Sequence, residues 1–150
     1  MRVWRLTRAV YGRDPLLGEG AARSGNRWNS PGERVAYTSN NRSLAVLEML
    51  VHVTRDTVPK DLLLIPVEVP DELVAEATEL PADWNRLPYS VGARRLGDRW
   101  VEGRRSVGLL VPSVVLPAER NLLINPVHPD ARRIAVLKAE AFSFDRRLLR

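Results

Sequence analysis

Val3, Trp4 and Leu6 set among arginines make RVWRL, 2 to 6, read as a short opening strand. GEGAARSGNRWNSPGE, 18 to 33, predicts irregular backbone, because its glycines, prolines and asparagines favour turns. RVAYT at 34 to 38 predicts a second strand by its alternation of residue types. SNN at 39 to 41 offers capping side chains ahead of RSLAVLEMLVHVTR, 42 to 55, whose apolar spacing predicts a helix. DLLLIPVEV at 61 to 69 is β-rich but contains Pro66, which has no N–H for a ladder; an edge strand or a bulge is expected. DELVAEATEL predicts a short helix and PADWNRLPYS a loop. VGARRLGDRWVEG, 91 to 103, predicts a helix that Gly97 weakens. VGLLVPSVVL, 107 to 116, predicts a strand pair or one strand bent at Pro112. NLLINP predicts another strand, and RRIAVLKAEAFSFD one or two more. Helices and strands mix without regular βαβ alternation. The expected class is therefore α+β with a largely antiparallel sheet, in a single domain over 1–150.

Composition changes that picture little. Hydrophobic residues make up 45% and charged residues 27% of 150, enough for a packed core and too much for a disordered chain. There is no cysteine, which excludes disulfides and thiolate zinc sites. Arginines interrupt MRVWRLTRAV, so it lacks the apolar core of a signal peptide, and no apolar run approaches spanning length. The expected location is the cytoplasm, with no membrane partner.

Charge adds one question. Lys+Arg is 23 against 18 Asp+Glu, a net +5, and only Lys60 and Lys138 are lysines. Arginine suits two-pronged contacts to phosphate or carboxylate. RLPYSVGARRLGDRWVEGRR, 86 to 105, interleaves Tyr89 and Trp100 with six arginines, a pattern compatible with nucleic acid. It lacks a helix-turn-helix or RNA-binding signature, which favours a solvated helix face or a protein-binding surface.

The candidate chemistry centres on Glu48. In a helix at about 100° per residue, Leu44, Leu47 and Val51 share one face. Glu48 projects at its edge, with His52 and Arg55 continuing a narrow polar stripe. By the helix alone the stripe faces water, because unpaired carboxylates are seldom buried. The sharper alternative is a cleft, where a carboxylate stabilises developing positive charge better than in bulk water. SGNRWNSPG, 24 to 32, brings Arg27 for a phosphate and Trp28 for either the cleft or the core. Tyr37 is a stacking ring or a plain core aromatic. Ser113 sits in VPSVV, where Pro112 breaks the ladder, but no GxSxG elbow surrounds it. P-loop, GxGxxG, HExxH and EF-hand motifs are absent, and two histidines, His52 and His128, are too few for a histidine-rich metal centre.

Several stretches in order and spacing resemble the RES family, named for an arginine, a glutamate and a serine. They are WR at 4 to 5, GNRWNSPGERVAYTS at 25 to 39, SLAVLEMLVH at 43 to 52, GDRWVEGRRSVGLLVPSVVLPAERNLLINPVHPD at 97 to 130, and FSFDRRLL near the end. Arg27, Glu48 and Ser113 take the name positions. The family's members are toxins of bacterial toxin–antitoxin pairs. The resemblance implies an ADP-ribosyltransferase-like fold, with a mixed, largely antiparallel split sheet and flanking helices. It implies cleavage of the nicotinamide–ribose bond of NAD by hydrolysis or phosphorolysis, with NAD as substrate and no metal or cofactor. The alternative within enzymology is mono-ADP-ribosylation of a protein; the alternative outside it is an arginine-rich nucleic-acid module.

The resemblance also assigns roles. Arg27 and Arg5 would hold the pyrophosphate, and Tyr37 would stack on or border the nicotinamide. Glu48 would stabilise an oxocarbenium-like transition state. Ser113 would bond the nicotinamide end or the ribose, with Asn125 and His128 of NPVHP supporting the pocket. The implied partner is an antitoxin with an Xre-type helix-turn-helix, its C-terminal end entering the cleft. No direct nucleic-acid binding is implied, and a homodimer or larger toxin–antitoxin assembly is compatible with the family.

Overall fold

The computed structural model describes residues 1–150. Eight strands and three helices follow in the order β1 (Arg2–Arg8), α1 (Glu19–Ser24), β2 (Ala36–Ser39), α2 (Arg42–Leu50), β3 (Leu62–Glu68), β4 (Val74–Glu76), α3 (Val91–Gly103), β5 (Gly108–Pro112), β6 (Arg120–Ile124), β7 (Ala135–Val136) and β8 (Glu140–Phe142). All strands join one sheet in the order β4-β5-β6-β2-β1-β3-β7, with β8 also on β3. Only β4 and β5 run parallel. The class is α+β with a mixed, largely antiparallel sheet, as the strand pattern suggested. No helix is long and apolar enough to cross a membrane.

The sheet has a seam. β1 and β3 pair without a break from Arg2 opposite Glu68 to Arg8 opposite Leu62, and β2 pairs with β6 along its whole length. Between β1 and β2 only Trp4 and Ser39 are in register. Two halves therefore meet along an opened edge.

Burial explains how the halves stay together. Successive strand residues point to opposite faces, and β6 is apolar on both. Leu123 packs with Leu109, Val111, Trp28 and the Ala93, Trp100 and Val101 side of α3. Leu122 and Ile124 pack on the other face with Ala36, Val3, Ile65 and Val67. That second cluster draws residues from both halves, so the sheet curls over itself. Each fully buried aliphatic side chain there contributes roughly 1.5–3 kcal/mol.

Several elements depart from the sequence expectation. The helix expected over 42–55 is α2, which ends at Leu50. Asn41 caps it by accepting from Leu44 N, and tight turns at the far end run from His52 N to Met49 O and Val53 N to Leu50 O. Val51, which suggested a longer apolar face, is 58% exposed. His52 and Arg55 therefore do not continue a helical stripe from Glu48. The region 18–33 contains the short α1, followed by Gly25 at φ 72, a left-handed conformation that suits glycine.

The strand β3 is flanked on both sides, not an edge. Pro66 is tolerated because β8 pairs with Leu62–Leu64 and β7 with Val67 and Glu68, leaving a gap between them. Pro66 O accepts from Leu137 N, so its N–H-less nitrogen faces that gap. DELVAEATEL makes one 3-10 turn, Asp71–Leu73, and then β4 beside β5 rather than a helix. The stretch 107–116 holds one strand, β5, and β6 completes the hairpin with it.

Candidate active site

A cleft of about 520 Å³ opens at the seam. Trp4, Arg5 and Leu6 of β1 form one wall, and Tyr37, Thr38 and Ser39 of β2 form another. Glu48, Met49 and His52 come from α2 and the turn after it. Arg27 arrives from the 25–32 loop and Arg94 from α3. The weak pairing of β1 with β2 is what leaves room for a ligand between them.

Glu48 reaches this cleft half-buried, because its helix is seated by the buried Leu44 and Ala45. Its Oε1 accepts from Ser113 Oγ at 2.7 Å and from Asn121 Nδ2 at 2.5 Å. Oε2 has no protein partner. Of the two readings left open by the helix pattern, the cleft is the one observed. Ser113 is wholly buried and does not line the cleft. Its hydroxyl donates to Glu48 and accepts from Leu116 N at 3.0 Å. The serine expected to touch a ligand bonds the carboxylate that lines the cleft.

Arg5 bridges the seam. Its Nη1 donates to Tyr37 O at 2.9 Å, while its Nε is shut off from solvent with no partner. Burial lowers its pKa to about 10. An anion in the cleft would relieve that penalty. Arg27 donates through Nη1 to Trp84 O (3.1 Å) and Arg86 O (2.8 Å), tying its loop to the 84–88 segment. Burial lowers the Arg27 pKa as well, opposed chiefly by the negative charge of Glu48. Arg27 and Glu48 line the same cleft without forming an ion pair.

The ring of Tyr37 borders the cleft, but its hydroxyl is already engaged. It donates to Asn29 Oδ1 at 2.7 Å and accepts from Trp28 N at 3.1 Å. Burial pushes the phenol pKa well above its ordinary 10. Asn29 is itself buried and donates through Nδ2 to Ala21 O, Ser30 O and Glu33 O. Asp98 on α3 accepts from Ser30 N at 2.8 Å and Ser30 Oγ at 2.6 Å. Gly97 beside it lets α3 approach so closely that a Cβ there would lie 1.7 Å from Trp28 O. The loop that presents Arg27 is therefore fastened at both ends, and Trp28 packs in the core at 3% exposure.

Asn125 and His128 do not join the others. Asn125 is buried and donates to Val101 O at 3.2 Å while accepting from Val127 N at 3.1 Å. His128 contacts Arg104 O through Nε2 and accepts from Asp130 N through Nδ1. Their polar atoms are used in tying the turn after β6 to the end of α3. Sequence reasoning did not name Asn121 or Asn29 as site residues. The only signal for Asn121 was an amide opening an otherwise apolar run, NLLI.

Chemically, the cleft offers Arg5 and Arg27 for an anion, aromatic walls from Trp4, Tyr37 and Tyr89 for a planar ring, and one oriented carboxylate. Arg94 stacks on Tyr89 at 4.6 Å from the ring centroid and donates to Asn26 O, closing the α3 side. Such a site suits an anionic ligand with a planar group and a centre where positive charge develops.

Comparison with known proteins assigns the class. The RES domain family model matches residues 2–145. The chain is 39% identical over 154 residues to the Prs ADP-ribosylating toxin of Sphingobium sp. (strain YBL2), covering 98% of this chain and 96% of the relative. It is 36% identical to Toxin Res of Photorhabdus laumondii subsp. laumondii, covering 100% and 98%. The chain belongs to the RES domain family. A crystal structure of the M. tuberculosis MbcT–MbcA toxin–antitoxin complex shares its fold, with TM-score 0.72 at 21% identity over 95% of this chain and 84% of that one.

Proposed function

We propose that this chain is the toxin of a toxin–antitoxin pair and consumes NAD by breaking the nicotinamide–ribose bond. The observation that carries the reading is Glu48, a carboxylate with one oxygen clamped by Ser113 and Asn121 and the other unpaired in a cleft flanked by Arg5 and Arg27. Arg5 and Arg27 bind the pyrophosphate, Arg27 with the nitrogens not spent on Trp84 and Arg86. The ring of Tyr37 borders the nicotinamide. As the glycosidic bond breaks, its electron pair leaves with the nicotinamide nitrogen and positive charge builds on the ribose. The Glu48 carboxylate offsets that charge, and because it is already oriented no reorganisation is needed at that moment. An acceptor then attacks the ribose carbon, either water, which loses a proton to solvent, or phosphate.

Incubation with NAD, with and without phosphate, followed by product identification tests this. Free nicotinamide with ADP-ribose, or with ADP-ribose-1″-phosphate when phosphate is present, is expected. Intact NAD after prolonged incubation would count against it. A second reading, transfer of ADP-ribose to a protein, draws support from the name of the Sphingobium relative. Label from NAD retained on a protein band distinguishes it. An antitoxin partner belongs to the same proposal, and the toxin names of the relatives support it; its Xre-type helix-turn-helix rests on the family resemblance alone. The arginine-rich stretch lends less to a nucleic-acid module, since Arg94 is turned to Tyr89 and Asn26.

A further inference from the structure

The residue that fixes the direction of the Glu48 carboxylate from within the sheet is Asn121. It sits in β6 opposite Ser39 of β2 and Val111 of β5. Its Nδ2 donates to Glu48 Oε1 at 2.5 Å, and its Oδ1 accepts from Ser39 Oγ at 2.7 Å. The bond to Glu48 decides which way the amide faces: a carboxylate only accepts, so the NH2 turns to it and the amide oxygen is left to accept from the Ser39 hydroxyl. Ser39 is buried at 4% exposure and Ser113 at 0%, so both supports are rigidly packed. The chain of contacts runs Ser39, Asn121, Glu48, Ser113, one residue each from β2, β6, α2 and the turn after β5. Ser113 and Asn121 both bond Oε1, so the lone pairs of Oε2 are the ones left to the cleft.

We propose that Asn121 is a positioning residue for Glu48. It acts through the carboxylate by locking Oε1 so that Oε2 alone meets the developing charge. The inference rests on the NAD-cleaving reading for its kinetic consequence, though the clamp itself does not. Hydrogen bonds to charged groups are the strong ones, so loss of this donor should lower kcat by about 10- to 100-fold. The KM for NAD should stay within about twofold, because Asn121 does not hold the ligand's anionic part.

Three measurements test it together. Asn121→Ala should show the kcat loss with an unchanged KM and a thermal midpoint close to wild type. Asn121→Asp should lose more at neutral pH, because two carboxylates then face one another. Its rate relative to wild type should climb as pH falls, since the pair works only while it holds one proton. A purely packing role would give no such pH dependence. The third readout needs no turnover: in 1H–15N spectra of the wild-type chain, the Asn121 side-chain amide should move upfield in Glu48→Ala. An amide indifferent to Glu48→Ala, or an Asn121→Ala variant with wild-type kcat, would overturn the inference and leave the functional reading intact. A wild-type chain that releases no nicotinamide would instead overturn the functional reading, and the kinetic role of Asn121 with it. The amide shift would still decide the clamp.

Discussion

Substitution of Gly97 by alanine tests how the Arg27 loop is held. In an exposed helix this change stabilises by about 1 kcal/mol, because glycine loses more backbone entropy on folding. Gly97 is buried in α3, and an added Cβ would lie 1.7 Å from Trp28 O and 2.7 Å from Trp28 C. Both neighbours are backbone, so no side-chain rotation relieves the overlap; the helix or the loop must move. Overpacking of this kind costs about 1–3 kcal/mol, and a backbone clash this deep belongs at the upper end. The net is roughly 2 kcal/mol of destabilisation. For a chain of 150 residues that lowers the melting temperature by about 4–8 °C. Gly20 supplies the control: it also lies in a helix, α1, but an added Cβ meets nothing within 4 Å. Gly20→Ala should leave the midpoint unchanged or raise it. Differential scanning calorimetry of the two variants reads the contrast directly. A Gly97→Ala chain that melts as late as Gly20→Ala would refute the close approach of α3 to the loop, and with it the account of how Arg27 is placed.

Two further predictions follow from the same network. Tyr37→Phe leaves Asn29 Oδ1 and Trp28 N unpaired, a loss of about 1–3 kcal/mol. The folded Tyr37 phenol has a pKa raised above its ordinary 10. Its stabilising contribution is therefore complete below pH 10 and is lost as pH rises beyond it. The gap in stability between wild type and Tyr37→Phe, measured by urea unfolding, should narrow from pH 9 to pH 11; a constant gap would contradict the burial of the hydroxyl. Arg27→Lys retains the charge but not the fork that reaches Trp84 O and Arg86 O while facing the cleft. The KM for NAD should rise at least about tenfold with a smaller change in kcat, and steady-state kinetics showing the reverse would remove Arg27 from ligand binding.

The sequence was most readable where one local signal dominated. The bounds of α3 coincide with VGARRLGDRWVEG because the amphipathic spacing is strong and Ser90 caps it through Ala93 N. The end of α2 is hidden in the sequence because Val51 mimics a continuation of the Leu44 and Leu47 face, whereas the chain turns there. Pro66 pointed to an edge because sequence shows the missing donor but not the gap between β7 and β8 that accepts it. The seam that makes the cleft was invisible, since it depends on the non-local pairing of β1 with β2 stopping at Trp4 and Ser39. For the site, the helix and loop patterns alone single out Glu48 and Arg27, the resemblance adds their roles, and both come to one cleft. The hydroxyl of Ser113 turns inward to Glu48, which no pattern around VPSVV indicates. Asn125 enters only through the resemblance; its side chain bonds Val101 O and Val127 N and is not among the residues lining the cleft.

On the proposed function, the Glu48 carboxylate drives cleavage of the nicotinamide–ribose bond. The most direct test is nicotinamide release from NAD by wild type and Glu48→Gln, followed by chromatography alongside a thermal melt of each protein. Glutamine keeps the shape and removes the charge, so release should fall by at least about 100-fold while the variant stays folded. Full turnover by a folded Glu48→Gln chain would contradict the account.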